Sequence, residues 1–213
     1  MTKTIDLTSA ESALIVVDVQ NDFLPGGALP VPQGDAVVEP INALIANAST
    51  VVLTADWHPA DHQSFAANHP GHNPFETVDM PYGTQVLWPV HCTAGSAGAG
   101  FAPQLKTDSA ALLLRKGMCA ARDSYSAFVE ADRTTTTGLA GWLRERGIRR
   151  MAVCGLAADY CVSWTALDAA AAGFDTVVVT DATRAIAPET LRAAQVEWQK
   201  AGVGTVTLGD ILI

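Results

Sequence analysis

Cys161 occupies the most reactive kind of position in this chain. It follows the apolar run Met151-Ala152-Val153 and precedes an Ala-rich stretch, 164–172, with helical character. A thiol where a strand gives way to a helix faces free helix N–H groups and the positive end of the helix dipole, which favour an anion. That setting inclines it toward thiolate, the nucleophilic form. The competing reading is packing, since free cysteine is often a small buried hydrophobe. Packing is the reading for Cys154, inside a strand, and for Cys119 and Cys92.

Other chemistry-bearing residues also close short apolar runs. Asp18 ends one and has the chemistry of a general base, provided a lysine nearby keeps it ionised; otherwise it caps a turn. Lys116 ends Leu112-Leu113-Leu114-Arg115 and suits charge stabilisation; otherwise it is a solvated loop residue. Asp56-x-His58 has the spacing of two metal ligands from one loop, with His91 as a third and His62 as a fourth or an outer partner. An Asp/His/His set leaves coordination positions open, as a catalytic metal requires. His69 and His72 read as solvated.

Positioning these residues calls for a particular architecture. Short continuous apolar runs at 13–19, 50–54, 110–114, 151–154 and 176–180, with 204–208 as a sixth, read as strands buried on both faces. Helical stretches are expected at 35–46, 137–146, 160–172 and 188–201, with Pro188 in a first turn and Gly147, Gly173 and Gly202 at C-termini. The alternation predicts an open α/β sheet with helices on both faces, whose ligands bind beyond the carboxyl ends of the strands. The segment 56–106 breaks the rhythm and holds all five histidines. Its glycine-rich part, 95–100, reads as loop, with a lid as an open role.

The chain's 213 residues suit a single domain, and 49% hydrophobic content excludes disorder. A net charge of −9 argues against nucleic acid. No apolar run reaches the roughly 18–20 residues of a membrane span. The N-terminal residues Met1-Thr2-Lys3-Thr4-Ile5-Asp6 carry no signal pattern, so the expected compartment is the cytoplasm. The cysteine spacings match no zinc-finger or CxxC motif, and all four are expected as thiols.

Taken in order, the motifs are Asp18-Val19-Gln20-Asn21-Asp22-Phe23, Asp56-Trp57-His58-Pro59, Asp61-His62, Trp88-Pro89-Val90-His91-Cys92, Arg115-Lys116-Gly117, Asp123-Ser124-Tyr125-Ser126 and Gly155-Leu156-Ala157-Ala158-Asp159-Tyr160-Cys161. With them the chain resembles the nicotinamidase/pyrazinamidase family of isochorismatase-like cysteine hydrolases, over nearly its whole length. The resemblance implies a three-layer α/β/α fold with a central, mainly parallel six-stranded sheet. It implies a catalytic triad of Asp18, Lys116 and Cys161, and one divalent metal (zinc, iron or manganese) on Asp56, His58 and His91, with His62 a ligand in some relatives. A cis peptide before Ala157 would aim its N–H, with that of Cys161, at the substrate oxygen. Phe23, Leu29, Trp88, Tyr125 and Leu156 would hold an aromatic amide, its ring nitrogen facing the metal. The implied reaction is nicotinamide to nicotinate and ammonia through a thioester, in NAD salvage, with pyrazinamide as a second substrate.

One departure is Ala158, where many relatives carry threonine. A carbamoyl or ureido amidohydrolase would share the triad without needing the metal set. A non-catalytic binding protein is disfavoured by the complete triad, and a nucleotide-binding fold by the lack of a GxGxxG or P-loop after a strand. The sequence leaves the metal's identity and a homo-oligomer open.

Overall fold

The computed structural model describes residues 4–212. Six strands form one parallel sheet: β1 (Ser12–Val17), β2 (Val51–Asp56), β3 (Leu112–Lys116), β4 (Arg150–Leu156), β5 (Asp175–Arg184) and β6 (Gly204–Val206). Their spatial order is β3-β2-β1-β4-β5-β6, with every neighbouring pair parallel. The order reverses between β1 and β4, and a crevice opens there beyond the carboxyl ends of the strands.

The alternation of side chains along each strand divides the core in two. Leu14 and Val16 of β1, with Ala152 and Cys154 of β4, pack with Ile41 and Leu44 of α1 (Val38–Ile45). Ala13, Ile15, Val17, Met151 and Val153 face the other way. That core holds residues of α2 (Leu139–Glu145), α3 (Cys161–Ala171) and α4 (Pro188–Lys200). The result is the three-layer α/β/α architecture expected from the sequence.

All six expected strands are present, with ends shifted by at most four residues. The first helix differs more. Residues Gly34–Val37 form a 3-10 turn, and the α-helix begins only at Val38. Gln33 precedes that turn in the left-handed region, φ 56, and no side chain caps it, so the tighter turn carries the chain in. The long 56–106 segment contains an antiparallel hairpin, Thr77–Met80 with Gly83–Val86. Its glycine-rich part is strapped to the end of β1. Asn21 N–H donates to Gly100 O, Asp22 N–H to Gly98 O, and the Asn21 and Gln20 side chains donate to Ala97 O and Ala99 O. Four such bonds tie it to that segment. No helix among the described residues is long and apolar enough to cross a membrane.

Candidate active site

The carboxyl ends of β1 to β4 deliver the reactive groups to one place. Asp18 follows β1 with φ 48, a left-handed conformation that Asp tolerates better than most residues. Asp56 and Lys116 close β2 and β3 and are register partners across the ladder. Gln20 extends the β1–β2 pairing with its side-chain amide: Nε2 donates to Asp56 O and Oε1 accepts Asp56 N–H, each at 2.8 Å. Where β4 passes β1, only a glycine fits. A Cβ on Gly155, whose φ is 106, would lie 2.1 Å from Val17 O.

Lys116 is the hub. Its ammonium donates to Asp56 Oδ1, to Ser124 O at 3.0 Å and to Cys161 Sγ at 3.4 Å. Asp18 Oδ2 lies 2.8 Å from the same nitrogen as an ion pair, so four acceptors share the three ammonium protons. Asp18 Oδ1 is held by Thr54 Oγ1 at 2.6 Å. The Asp18 carboxylate forms a cluster with Asp56 and Cys161, one polar atom of each lying within 4.8 Å of the others.

Burial sets the protonation states. It raises Asp18 to about 6, against the opposing pull of Lys116. Burial alone would raise Asp56 too, but Lys116 and His58 carry it well below the ordinary carboxylate range. Burial opposes the Lys116 charge, yet Asp18 and Asp56 hold the ammonium protonated. The Cys161 thiol is pushed well up by burial and by both carboxylates, with Lys116 pulling the other way. This corrects the expectation of a ready thiolate. The helix start is there, since Cys161 is the first residue of α3, but desolvation outweighs it. A base must take the thiol proton, and Asp18 is the one beside it.

The Asp/His/His set is assembled as well. His58 Nε2 and His91 Nε2 lie 3.7 and 4.0 Å from Asp56 Oδ2. His58 Nδ1 is 2.9 Å from Gly117 O, and His91 Nδ1 is 2.8 Å from Pro89 O. A carbonyl only accepts, so both Nδ1 atoms carry a proton and both Nε2 atoms turn toward Asp56. Gly117, with φ 65, is required here, because a Cβ on it would lie 2.3 Å from His58 Cε1. Burial and the neighbouring His58 lower His91 to about 4, leaving it neutral. Burial pulls His58 down as well, but Asp56 beside it outweighs that and leaves the imidazole raised above its ordinary value. A divalent cation would take the place of the His58 Nε2 proton, and two imidazole nitrogens with an ionised carboxylate are a donor set that fits one.

His62 stands apart from this set. Its ring lies 4.3 Å from that of His58, but its Nδ1 bonds Ser64 Oγ at 2.7 Å and its Nε2 lies 3.1 Å from Arg122 O. It groups instead with His58 and Asp123.

The crevice above Cys161 is lined by Phe23, Leu29, Trp88, Tyr125, Ala157 and the metal-type residues, joined by Asp123, Tyr160 and Ile186. Trp88 meets Tyr160 edge-to-face at 4.8 Å, and its Nε1 donates to Tyr125 Oη at 2.9 Å. Leu156 does not line the crevice. It is wholly buried, with Cδ1 3.3 Å from the point where a Gly34 side chain would begin. The alternation of β4 turns it into the core. The Leu156–Ala157 peptide is cis, as the resemblance implies. Among the described residues, no acceptor takes the Ala157 or Cys161 N–H. Ala158 is buried and its N–H donates to Arg184 O at 2.8 Å. All four cysteines are free.

Asp123, Tyr160 and Ile186 were not among the expected binding residues. Asp123 and Tyr160 lie in motifs already singled out; Ile186 lies in a connection with no distinguishing pattern.

The isochorismatase domain matches residues 12–210. The nicotinamidase of Acinetobacter baylyi is 50% identical over 202 residues, covering 94% of each chain. The solved nicotinamidase/pyrazinamidase of Acinetobacter baumanii superposes with a TM-score of 0.93 at 52% identity, over 95% of this chain and 98% of that one. PnC1 of L. infantum, solved with nicotinate, gives 0.86 at 38% identity over 100% and 99%. The pyrazinamidase of Pyrococcus horikoshii, solved with zinc, gives 0.75 at 37% over 92% and 99%. Matched along nearly its whole length in sequence and in backbone, the chain belongs to the isochorismatase family, among its hydrolases of the nicotinamidase type.

Proposed function

We propose that this chain, acting as a single domain in the cytoplasm, hydrolyses nicotinamide to nicotinate and ammonia through a thioester on Cys161, as a step of NAD salvage. Pyrazinamide, of similar shape, is a second substrate. The observation that carries the reading is the arrangement of three buried groups: Lys116 Nζ stands 2.8 Å from Asp18 Oδ2 and 3.4 Å from Cys161 Sγ.

Asp18 takes the Cys161 proton as Sγ attacks the carboxamide carbon. The Ala157 and Cys161 N–H groups receive the developing oxyanion, and losing one such donor typically costs about 10²–10³ in rate. Asp18 then returns the proton to the departing ammonia. Water, deprotonated by Asp18, releases nicotinate from the thioester and restores the thiol. Lys116 holds Asp18 in place throughout and favours its anionic form before each proton it takes. Phe23, Leu29, Trp88 and Tyr125 hold the ring. Asp56, His58 and His91 would hold a divalent cation, which supplies a Lewis acid for the pyridine nitrogen. The zinc in the Pyrococcus horikoshii pyrazinamidase and the nicotinate in the L. infantum protein support these two assignments.

Rapid acid quench during turnover, followed by intact mass measurement, tests the proposal. A nicotinoyl group on Cys161 is expected. Turnover without any acyl-enzyme, even with hydroxylamine as a trap, would contradict it.

A further inference from the structure

Asp159 lies in the 157–161 turn, between the two N–H groups assigned to the oxyanion, yet the reaction scheme gives it no part. It is 8% exposed. Its side chain turns away from the crevice toward the start of α4. Oδ1 accepts Ile186 N–H at 3.0 Å, Oδ2 accepts Ala187 N–H at 3.1 Å, and Oδ2 also accepts the Thr190 hydroxyl. Ala187 is the N-cap of α4 and has no capping side chain of its own. Asp159 therefore supplies, from 28 residues away, the carboxylate that a helix N-terminus ordinarily finds locally.

This cap has consequences at the active site. Ile186, whose N–H it holds, lines the crevice alongside Ala157, Tyr160 and Cys161. The neighbouring Ala158 N–H is fastened to Arg184 O at 2.8 Å, so the two connections are tied at two points. The 157–161 turn has no cap of its own on the α3 side, because Tyr160 makes no side-chain bond there. Its orientation depends on these ties to the 184–187 connection.

We infer that Asp159 is a positioning residue: by capping α4 it fixes the oxyanion N–H groups of Ala157 and Cys161 relative to the Ile186 wall of the ring pocket. The inference rests on the functional reading above. A donor pair misplaced by a fraction of an ångström no longer meets the oxyanion, although the ring still binds.

The test compares wild type, Asp159→Ala, Asp159→Asn and Thr190→Val, all metal-loaded. Thr190→Val is near-isosteric, removes one of the three bonds and lies outside the crevice. The readouts are kcat and KM for nicotinamide, together with affinity for nicotinate and for pyridine-3-carbaldehyde. The aldehyde reports the oxyanion directly. Cys161 Sγ bonds its carbonyl carbon, the C=O π pair becomes an alkoxide, and the thiol proton passes to Asp18.

The expected result for Asp159→Ala is a fall in kcat approaching the about 10²-fold of a lost oxyanion donor. Aldehyde binding weakens in step, and nicotinate binding and KM change little. Asp159→Asn, which keeps one acceptor, restores part of kcat, and Thr190→Val falls between it and wild type. Equal weakening of aldehyde and nicotinate, or a lowered melting temperature with kcat unchanged, would overturn the inference. If Asp159→Ala does not fold, Thr190→Val decides by the same comparison. A wild type that does not turn over nicotinamide would instead refute the functional reading, independently of the differences between variants.

Discussion

Lys116 and Asp18 form a fully buried ion pair, 2.8 Å apart, and the same ammonium also binds Asp56. One cation thus holds both the proposed base and a proposed metal ligand. On the proposed reading, this joins the nucleophile's proton chemistry to the placement of the substrate ring.

Removing that ammonium leaves Asp18 buried without a countercharge and Asp56 with only that of His58 beside it. Lys116→Met should abolish turnover and lower stability by about 3–5 kcal/mol, as for other broken buried pairs. The double variant Asp18→Asn/Lys116→Met should recover part of the stability and none of the activity. Chemical denaturation of the three proteins checks this. A Lys116→Met protein as stable as wild type would show that the pair does not couple to folding.

The pH dependence follows from the environment of Asp18. Its carboxyl is raised to about 6, chiefly by burial, and it works as a base only when ionised. Raising the pKa moves the loss of the base to higher pH than an ordinary carboxylate would show. kcat/KM should therefore be level above that value and fall as the pH drops through it. A profile that stays flat to pH values typical of a free aspartate, about 4, would be inconsistent with this assignment.

The Gly117 contact with His58 makes a prediction about the metal. Gly117→Ala would push a methyl into the His58 ring and displace the carbonyl that fixes its tautomer. Loss of such an outer partner typically costs about 10–100-fold in metal affinity. Competition with a chelator, read by elemental analysis, should show that loss while Cys161 still reacts with a small thiol reagent.

His62 should behave differently from His58 and His91. Both of its ring nitrogens are engaged, by Ser64 and Arg122. His62→Ala should keep its bound metal under conditions in which His91→Ala loses it. Equal loss in both would make His62 a fourth ligand.

Much of this was legible in the chain. Asp18, Asp56 and Lys116 could be placed because each lies at or within two residues of the end of a short, mainly apolar run, and a parallel sheet gathers such ends at one rim. The parts that were not legible depend on contacts between distant segments. Gln85, on the hairpin, donates to Asp123 Oδ2 at 2.7 Å and Tyr125 Oη at 3.0 Å, about forty residues on, and no periodicity announces it. Ile186 reaches the crevice because Asp159 caps a helix whose own N-cap is an alanine. The protonation of Cys161 could not be read from its helix-start position, because the decisive factors are its burial and the two carboxylates beside it. The resemblance implies Leu156 in the crevice, but the two-residue period of β4 sends it to the core.

The most direct measurement is ammonia release from nicotinamide by the metal-loaded protein, beside Cys161→Ala. Release by the wild type that vanishes in the variant is the predicted result. Substantial release by Cys161→Ala would remove the thioester from the mechanism.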